Sequence, residues 1–206
     1  GGVVACNFKI NEKIASEINK NFLEVILAKG FEKNSLNILK RKKNLRIIDI
    51  SGYKSKNITS IKNFEGAFLI QNKDKIILDK KKLRCVTKLK PSKKELDEIK
   101  FTFNVSKYVK SNAIVICNNF STIGIGAGQP SRFDSCKIAI QKAKKFQPQK
   151  IENSIAASDA FFPFADGVEA LIEAAGVKII IQPGGSIRDQ EVINCANKGK
   201  VKMLFT

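Results

Sequence analysis

The chain has no histidine and no tryptophan, a single methionine, and five prolines among its 206 residues. Without histidine, the commonest side-chain general base and the commonest zinc ligand are both missing. Without tryptophan, the strongest base-stacking platform is missing. Cysteines are few and form no CxxC pair: Cys6, Cys85, Cys117, Cys136 and Cys195 lie scattered in apolar contexts, and their number is odd. That pattern predicts free, buried thiols in a reducing cytoplasm. No apolar run approaches the roughly 18–20 residues of a membrane span, which excludes a transmembrane helix. The opening GGVVACNFKI lacks the charged-then-apolar order of a secretory signal. An initiator methionine is also lacking, and the chain stops at VKMLFT, which reads as a core strand. The expectation is a piece of a longer chain.

What is present is a soluble globular mix, 43% hydrophobic and 27% charged, too apolar for a disordered chain. Acids are scarce: 19 against 37 basic residues, a net charge of +18. Dense positive charge suits a nucleic-acid binder. Yet only Arg41, Arg46, Arg84, Arg132 and Arg188 are arginines, and phosphate readers usually enrich arginine because its planar fork grips phosphate in two places. A Lys-, Asn- and Ile-biased composition with lysine-filled solvated faces explains the charge better. A general attraction to anions, small phosphorylated substrates included, survives either reading.

Strands and helices alternate along the chain, which predicts an α/β architecture with a mixed sheet. Strands are expected at 3–8, 22–28 and 45–50, with helices after Asn11 and over 35–43. Residues 51–65 read as a polar loop, and 66–71 with 75–78 as a hairpin around 72–74. Pro91 opens a helix over roughly 93–110, with Ser92 as N-cap and Glu95 in the capping-box position. The composition then shifts, so the best domain boundary lies near Pro91. Strands follow at 112–117, 121–126, 154–158, 177–182 and 201–206. Helices are expected from Ser131 or Asp134 to Phe146, from an Asp166 cap to Gly176, and from a Ser186 cap with Asp189 in the box position.

Four stretches place unusual residues where a core pattern would not. In KSNAIV (110–115), Asn112 opens a strand, where an amide can present a donor and an acceptor; a turn asparagine is the plainer reading. In GIGAGQPSR (124–132), three alternate glycines strip one face, so another backbone or a flat ligand can approach closely. The spacing is GxGxG rather than the dinucleotide fingerprint GxGxxG, and Arg132 follows at a helix start, where it could act on oxygens together with free N–H groups. In SDAFFPFADG (158–167), three phenylalanines surround Pro163 and precede Asp166. They could form an aromatic wall with a carboxylate at its edge, or simply an apolar loop and a cap. In IQPGGSIRD (181–189), a strand runs through two glycines into a helix start, where successive free N–H groups would make an anion or carbonyl nest.

Each stretch alone is a weak signal. In this order and spacing, together with GGVVACN, FLEVILA and VTKLKP, they are highly specific, and they span essentially the whole chain. The chain resembles the formyltransferase region of the bifunctional purine biosynthesis enzymes. In these, aminoimidazole carboxamide ribonucleotide (AICAR) formyltransferase is joined to inosine monophosphate (IMP) cyclohydrolase. The resemblance implies transfer of a formyl group from the cosubstrate 10-formyltetrahydrofolate to the 5-amine of AICAR, in a cytoplasmic homodimer with no nucleic-acid or membrane partner. It implies cytidine-deaminase-like mixed-sheet domains occurring as a duplicated pair. Residues 1–90 would be the C-terminal part of the first, and 91–206 the second with its C-terminal end missing.

The resemblance also implies roles, residue by residue. Gly1, Gly2, Asn112, Arg132 and Phe161 would meet AICAR, with Asn112 orienting the reacting group. Glu24, Asp166, Gly185 and Ser186 would lie on the folate side, near Ile125 to Gln129. Zinc is not expected, because the deaminase ligand pattern is missing here. Similar proteins hold a monovalent cation near the KSN strand, which leaves a monovalent cation as an option. The family's Lys-His pair, its leading acid/base candidates, would fall ahead of Gly1, a further His-bearing segment after Thr206, and the cyclohydrolase domain upstream. The competing readings are a lysine-rich, non-enzymatic nucleic-acid-binding fragment and a deaminase relative without its metal ligands.

Overall fold

The computed structural model describes residues 2–54, 59–72, 74, 78 and 82–206. The chain forms two compact units, Gly1–Asp74 and Lys75–Thr206. The Pro91 region lies inside the second unit, because Arg84–Cys85 already pairs with that unit's last strand.

In the first unit, strands β1 (Gly2–Cys6), β2 (Leu23–Ala28) and β3 (Arg46–Asp49) form a parallel sheet with β2 in the centre. Helices α1 (Glu12–Asn19) and α2 (Lys33–Leu39) connect them, as parallel neighbours require. The Asn11 side chain caps α1, its Oδ1 accepting from the Ile14 N–H at 2.9 Å. Ile10, Ala15, Ile26, Ala28 and Leu39 are the buried core.

Strands β4 (Thr59–Phe64) and β5 (Ala67–Asn72) form an antiparallel hairpin that turns at Glu65-Gly66. This corrects the sequence reading, which made 59–65 loop and placed the turn at 72–74. Thr59, Ile61 and Asn63 fall on one face and Ser60, Lys62 and Phe64 on the other, so each face mixes polar and apolar residues and the sequence shows no period-2 signal. Gly66 takes φ +76°, the conformation such a turn needs. The second expected strand, 75–78, falls mostly outside the described residues.

The second unit is built on a six-stranded mixed sheet. Its strands are β6 (Arg84–Cys85), β7 (Ile114–Asn118), β8 (Ser121–Gly126), β9 (Ile155–Ser158), β10 (Ile179–Gln182) and β11 (Lys202–Phe205). They lie in the order β6-β11-β10-β9-β7-β8. β9, β10 and β11 are mutually parallel, while β6, β7 and β8 run antiparallel to their neighbours. The α/β mixed-sheet expectation is therefore met.

Helix α3 (Lys93–Ser106) covers one face of this sheet; α4 (Arg132–Phe146), α5 (Asp166–Ala175) and α6 (Asp189–Lys198) cover the other. Alternate residues divide accordingly. Ile155, Ala157, Ile179 and Ile181 pack with Ile99 of α3, whereas Ala156, Ile180 and Met203 pack in the core under α4, α5 and α6. Burial on both faces is why Ile179, Ile180 and Ile181 follow one another as an unbroken apolar run. The Ser92–Glu95 capping box opens α3 as expected.

Two expected caps shift. Asp166 is the first helical residue of α5 rather than its cap. α6 starts at Asp189, later than a Ser186 cap would place it.

Candidate functional site

Strand register assembles the site. Ile114 of β7 is paired with Gly126 of β8 on one side and Ser158 of β9 on the other. Asn112, the 127–131 loop and Asp159 therefore leave the sheet at one edge. The Ser111–Asn112 peptide bond is cis. Helix α4 starts directly after the 127–131 loop, with the Ser131 hydroxyl accepting from the Asp134 N–H at 3.4 Å, and this delivers Arg132 inward.

Arg132 is only 9% exposed. Its Nη1 donates to Asp159 Oδ1 at 2.6 Å and to Ser158 Oγ at 2.7 Å, and its Nη2 donates to Asn112 Oδ1 at 2.7 Å. Asn112 in turn donates from Nδ2 to the carbonyls of Gln129 (2.8 Å) and Pro130 (2.9 Å). The Asp159 carboxylate also accepts from the Ala113 N–H at 2.9 Å. Burial would raise the Asp159 carboxyl pKa. Hydrogen bonds from Ser111, Arg132 and the Ala113 N–H, with the guanidinium charge, outweigh burial and hold it below its ordinary value.

Beside this network lies a cleft of about 460 Å³, lined by Asn112, Arg132, Phe161, Pro163, Phe164 and Asp166 among others. The three phenylalanines part company. All three border the cleft, but Phe161 and Phe164 stay 42% and 46% exposed, whereas Phe162 is 1% exposed and belongs to the core. The buried Gln182 fixes that branch, its Oε1 accepting from the Phe162 N–H at 2.9 Å. Gly167 leaves room for the Phe162 ring, which a Cβ there would meet at 3.0 Å. Arg188 stands over the Phe164 ring at 4.7 Å, tying the 183–188 loop to the aromatic one.

Of the residues singled out in sequence, Asn112, Arg132, Phe161 and Asp166 converge on this cleft. Asp166 lies exposed at the start of α5, its Oδ1 accepting from the Gly167 N–H at 2.7 Å. Gly185 and Ser186 lie in the loop before α6 and do not line the cleft. Their N–H groups are not free, contrary to the expected nest: they donate to Asp189 Oδ2 at 2.8 Å and Oδ1 at 3.1 Å. Gly2 and Glu24 belong to the first unit, on β1 and β2. Gly1 lies outside the described residues.

The stripped face at Gly124 and Gly126 serves a backbone rather than a ligand, while Gly128 takes φ +68° beside the Lys110 side chain. A Cβ on Gly124 would stand 2.1 Å from the Ala139 carbonyl oxygen of α4. Asp159 and Ser158 are the site residues that sequence reasoning passed over. Both sit in SDAFFPFADG, and the available signal was an acid directly after an apolar strand.

All five cysteines are free. Burial pushes the Cys117 thiol up to about 11 and Cys136 up to about 12, so neither supplies a thiolate nucleophile. Cys6, Cys85 and Cys195 are half-buried, less enclosed than expected. Among the described residues no three His, Cys, Asp or Glu side chains gather as a metal group. No helix among them is long and apolar enough to cross a membrane.

Comparison with known proteins gives a consistent picture. A family model described as the AICARFT/IMPCHase bienzyme matches residues 1–142. The chain is 44% identical over 209 residues to the bifunctional purine biosynthesis protein PurH of Acetivibrio thermocellus. It is 42% identical to that of Aquifex aeolicus and 45% identical to that of a Thermoanaerobacter species. All of the chain is covered in each case, and it spans about 40% of the length of these relatives. With residues of three of the four motif stretches gathered around one cleft and the family model covering most of its length, the chain belongs to the AICARFT/IMPCHase bienzyme family.

Proposed function

We propose that this chain is a substrate-binding part of the formyltransferase of a bifunctional purine biosynthesis enzyme. In this reading it positions AICAR to receive a formyl group from 10-formyltetrahydrofolate. The observation that carries the reading is the Arg132–Asn112 pair beside a cleft walled by Phe161 and Phe164. An aromatic wall suits a planar imidazole, and the buried guanidinium supplies fixed donors to a carbonyl oxygen. The chain is proposed to carry parts of two cytidine-deaminase-like subdomains, corresponding to the units Gly1–Asp74 and Lys75–Thr206 rather than to a division at Pro91.

The chemistry sets what the site must do. The AICAR amine is a poor nucleophile, because its lone pair delocalises into the ring and carboxamide. Attack on the formyl carbon needs the amine held in line, its proton removed, and the developing oxyanion stabilised. Asn112 and Arg132 are suited to the first task by gripping the neighbouring carboxamide. Asp159 is held ionised below its ordinary range, and the chain contains no histidine. The proton acceptor is therefore proposed to come from the remainder of a protein of which this chain matches about 40%.

Gly1, Gly2, Glu24, Asp166, Gly185 and Ser186 take their nucleotide- and folate-side roles from family resemblance. With the Gly185 and Ser186 N–H groups held by Asp189, the Ser186 hydroxyl is the polar group of that pair left to donate to a folate. A cytoplasmic homodimer, and a monovalent cation near Asn112, belong to the same proposal.

Titration calorimetry of the full-length protein with AICAR, with a reduced folate and with random DNA tests it. Saturable binding of AICAR and folate, with DNA binding weak and abolished by salt, is the expected result. Salt-sensitive DNA binding with no response to either small molecule would establish the lysine-rich nucleic-acid binder instead.

A further inference from the structure

The hydrogen-bond pattern around Asn112 fixes which way its amide can serve a ligand. Both Nδ2 hydrogens are engaged, on the Gln129 and Pro130 carbonyls, and Oδ1 accepts from Arg132 Nη2 at 2.7 Å. The reverse orientation would set an NH2 group against a guanidinium and an oxygen against two carbonyls, so the network itself determines the assignment. Asn112 is left with acceptor capacity at Oδ1, since a carbonyl oxygen has a second lone pair. Arg132 carries donors only. Both Nη1 hydrogens and one Nη2 hydrogen are spent on Asp159, Ser158 and Asn112, which leaves the second Nη2 hydrogen to donate, so beside the cleft the pair offers a donor and an acceptor.

Asp159 governs the electrostatics of the same pair. It lies 2.6 Å from Arg132 Nη1, with its side chain 17% exposed against 8% for the arginine. The guanidinium charge is thereby balanced inside the protein, and a ligand carboxylate gains little from Coulomb attraction there.

From these observations we infer that Asp159, Arg132 and Asn112 act together as a filter that accepts a carboxamide and rejects the corresponding carboxylate. A carboxamide presents C=O to Arg132 and N–H to Asn112 Oδ1. A carboxylate presents two acceptors, one of which faces the Asn112 oxygen, and it brings a charge that the site has already balanced. Asp159 is the positioning residue: it touches no substrate in this account, but it cancels the charge and holds the guanidinium plane. The inference rests on the function proposed above and specifies how that site selects its substrate.

The experiment measures affinities of the full-length protein for AICAR and for its carboxylate counterpart, 5-aminoimidazole-4-carboxylate ribonucleotide, by calorimetry. The unmodified protein should favour the carboxamide by about tenfold or more, because mispaired buried polar groups forfeit a hydrogen bond. In Asp159→Asn the arginine charge is uncovered, so the preference should shrink severalfold through a gain in carboxylate affinity. Loss of both ligands in equal proportion would show Asp159 to be merely structural and overturn its part. Equal affinities in the unmodified protein would overturn the filter while leaving the proposed function standing, and that measurement decides even where the variant does not fold. Binding of neither ligand would overturn the proposed function and the filter with it.

Discussion

Gly126 of β8 lies directly beneath Ser135 of α4: a Cβ on Gly126 would stand 1.9 Å from the Ser135 carbonyl oxygen. A helix backbone thus rests on a strand where side chains have been removed, and this contact sets the depth at which α4 carries Arg132 to the cleft. Gly126→Ala would push α4 outward, destabilising the fold by about 1–3 kcal/mol as overpacking does. Gly52→Ala, where a Cβ meets nothing within 4 Å, is the control and should be close to neutral. Urea midpoints of the two variants check this; equal midpoints would mean that α4 can move aside freely.

Arg132→Lys keeps the charge but not the fork that reaches Asp159, Ser158 and Asn112 together. In the full-length protein AICAR affinity should fall about tenfold, or about 1.4 kcal/mol, with folate affinity little changed. Calorimetric titration of both ligands is the check, and an equal loss for both would assign Arg132 a structural role.

The depressed pKa of Asp159 makes a pH prediction with a definite sign. A carboxyl that is more acidic when folded adds stability above its unfolded value, about 3.9, and that stability is lost as pH falls through the folded value. The unmodified protein should therefore exceed Asp159→Asn in urea midpoint near neutrality, and the gap should narrow below about pH 4. A gap unchanged at pH 3 would mean that the ion pair contributes nothing titratable.

Thiol accessibility follows from burial. Cys117 and Cys136, raised to about 11 and about 12, should resist alkylation at pH 8 in the folded chain. Cys6, Cys85 and Cys195 are half-buried and should be labelled first. Mass spectrometry should show at most three additions before denaturation and five after it.

The 206-residue chain, given AICAR and 10-formyltetrahydrofolate, should transfer no formyl group above background. A base needs a pKa near the working pH. Beside the cleft, the Arg132-paired Asp159 is held low, and the nearby Cys136 thiol is held at about 12. Clear turnover by this chain alone would place the base among these residues and overturn the assigned roles.

Local chemistry made much of this protein legible from the sequence. The Asn11 cap, the Ser92–Glu95 box and the apolar strands β7, β9 and β10 each depend on residues a few positions apart, and all formed as read. The four motif stretches, taken together, pointed to the family. Other features are decided by neighbours distant in sequence. The β4–β5 register escaped because its polar members carry no periodic apolar signal, and only cross-strand pairing reveals it. The glycines at 124 and 126 read equally well as a ligand cradle; the approach of α4 settled their use. The free nest expected at 185–186 is filled by Asp189, a contact that follows from how the loop folds back rather than from composition. Asp159 drew no notice in the sequence, since a lone acid after a strand is commonplace. Its meaning comes from Arg132, 27 positions away, which sheet register brings within 2.6 Å. A local sequence can specify a cap or a strand because the partners travel together along the chain. A buried ion pair needs the whole sheet to bring its members together.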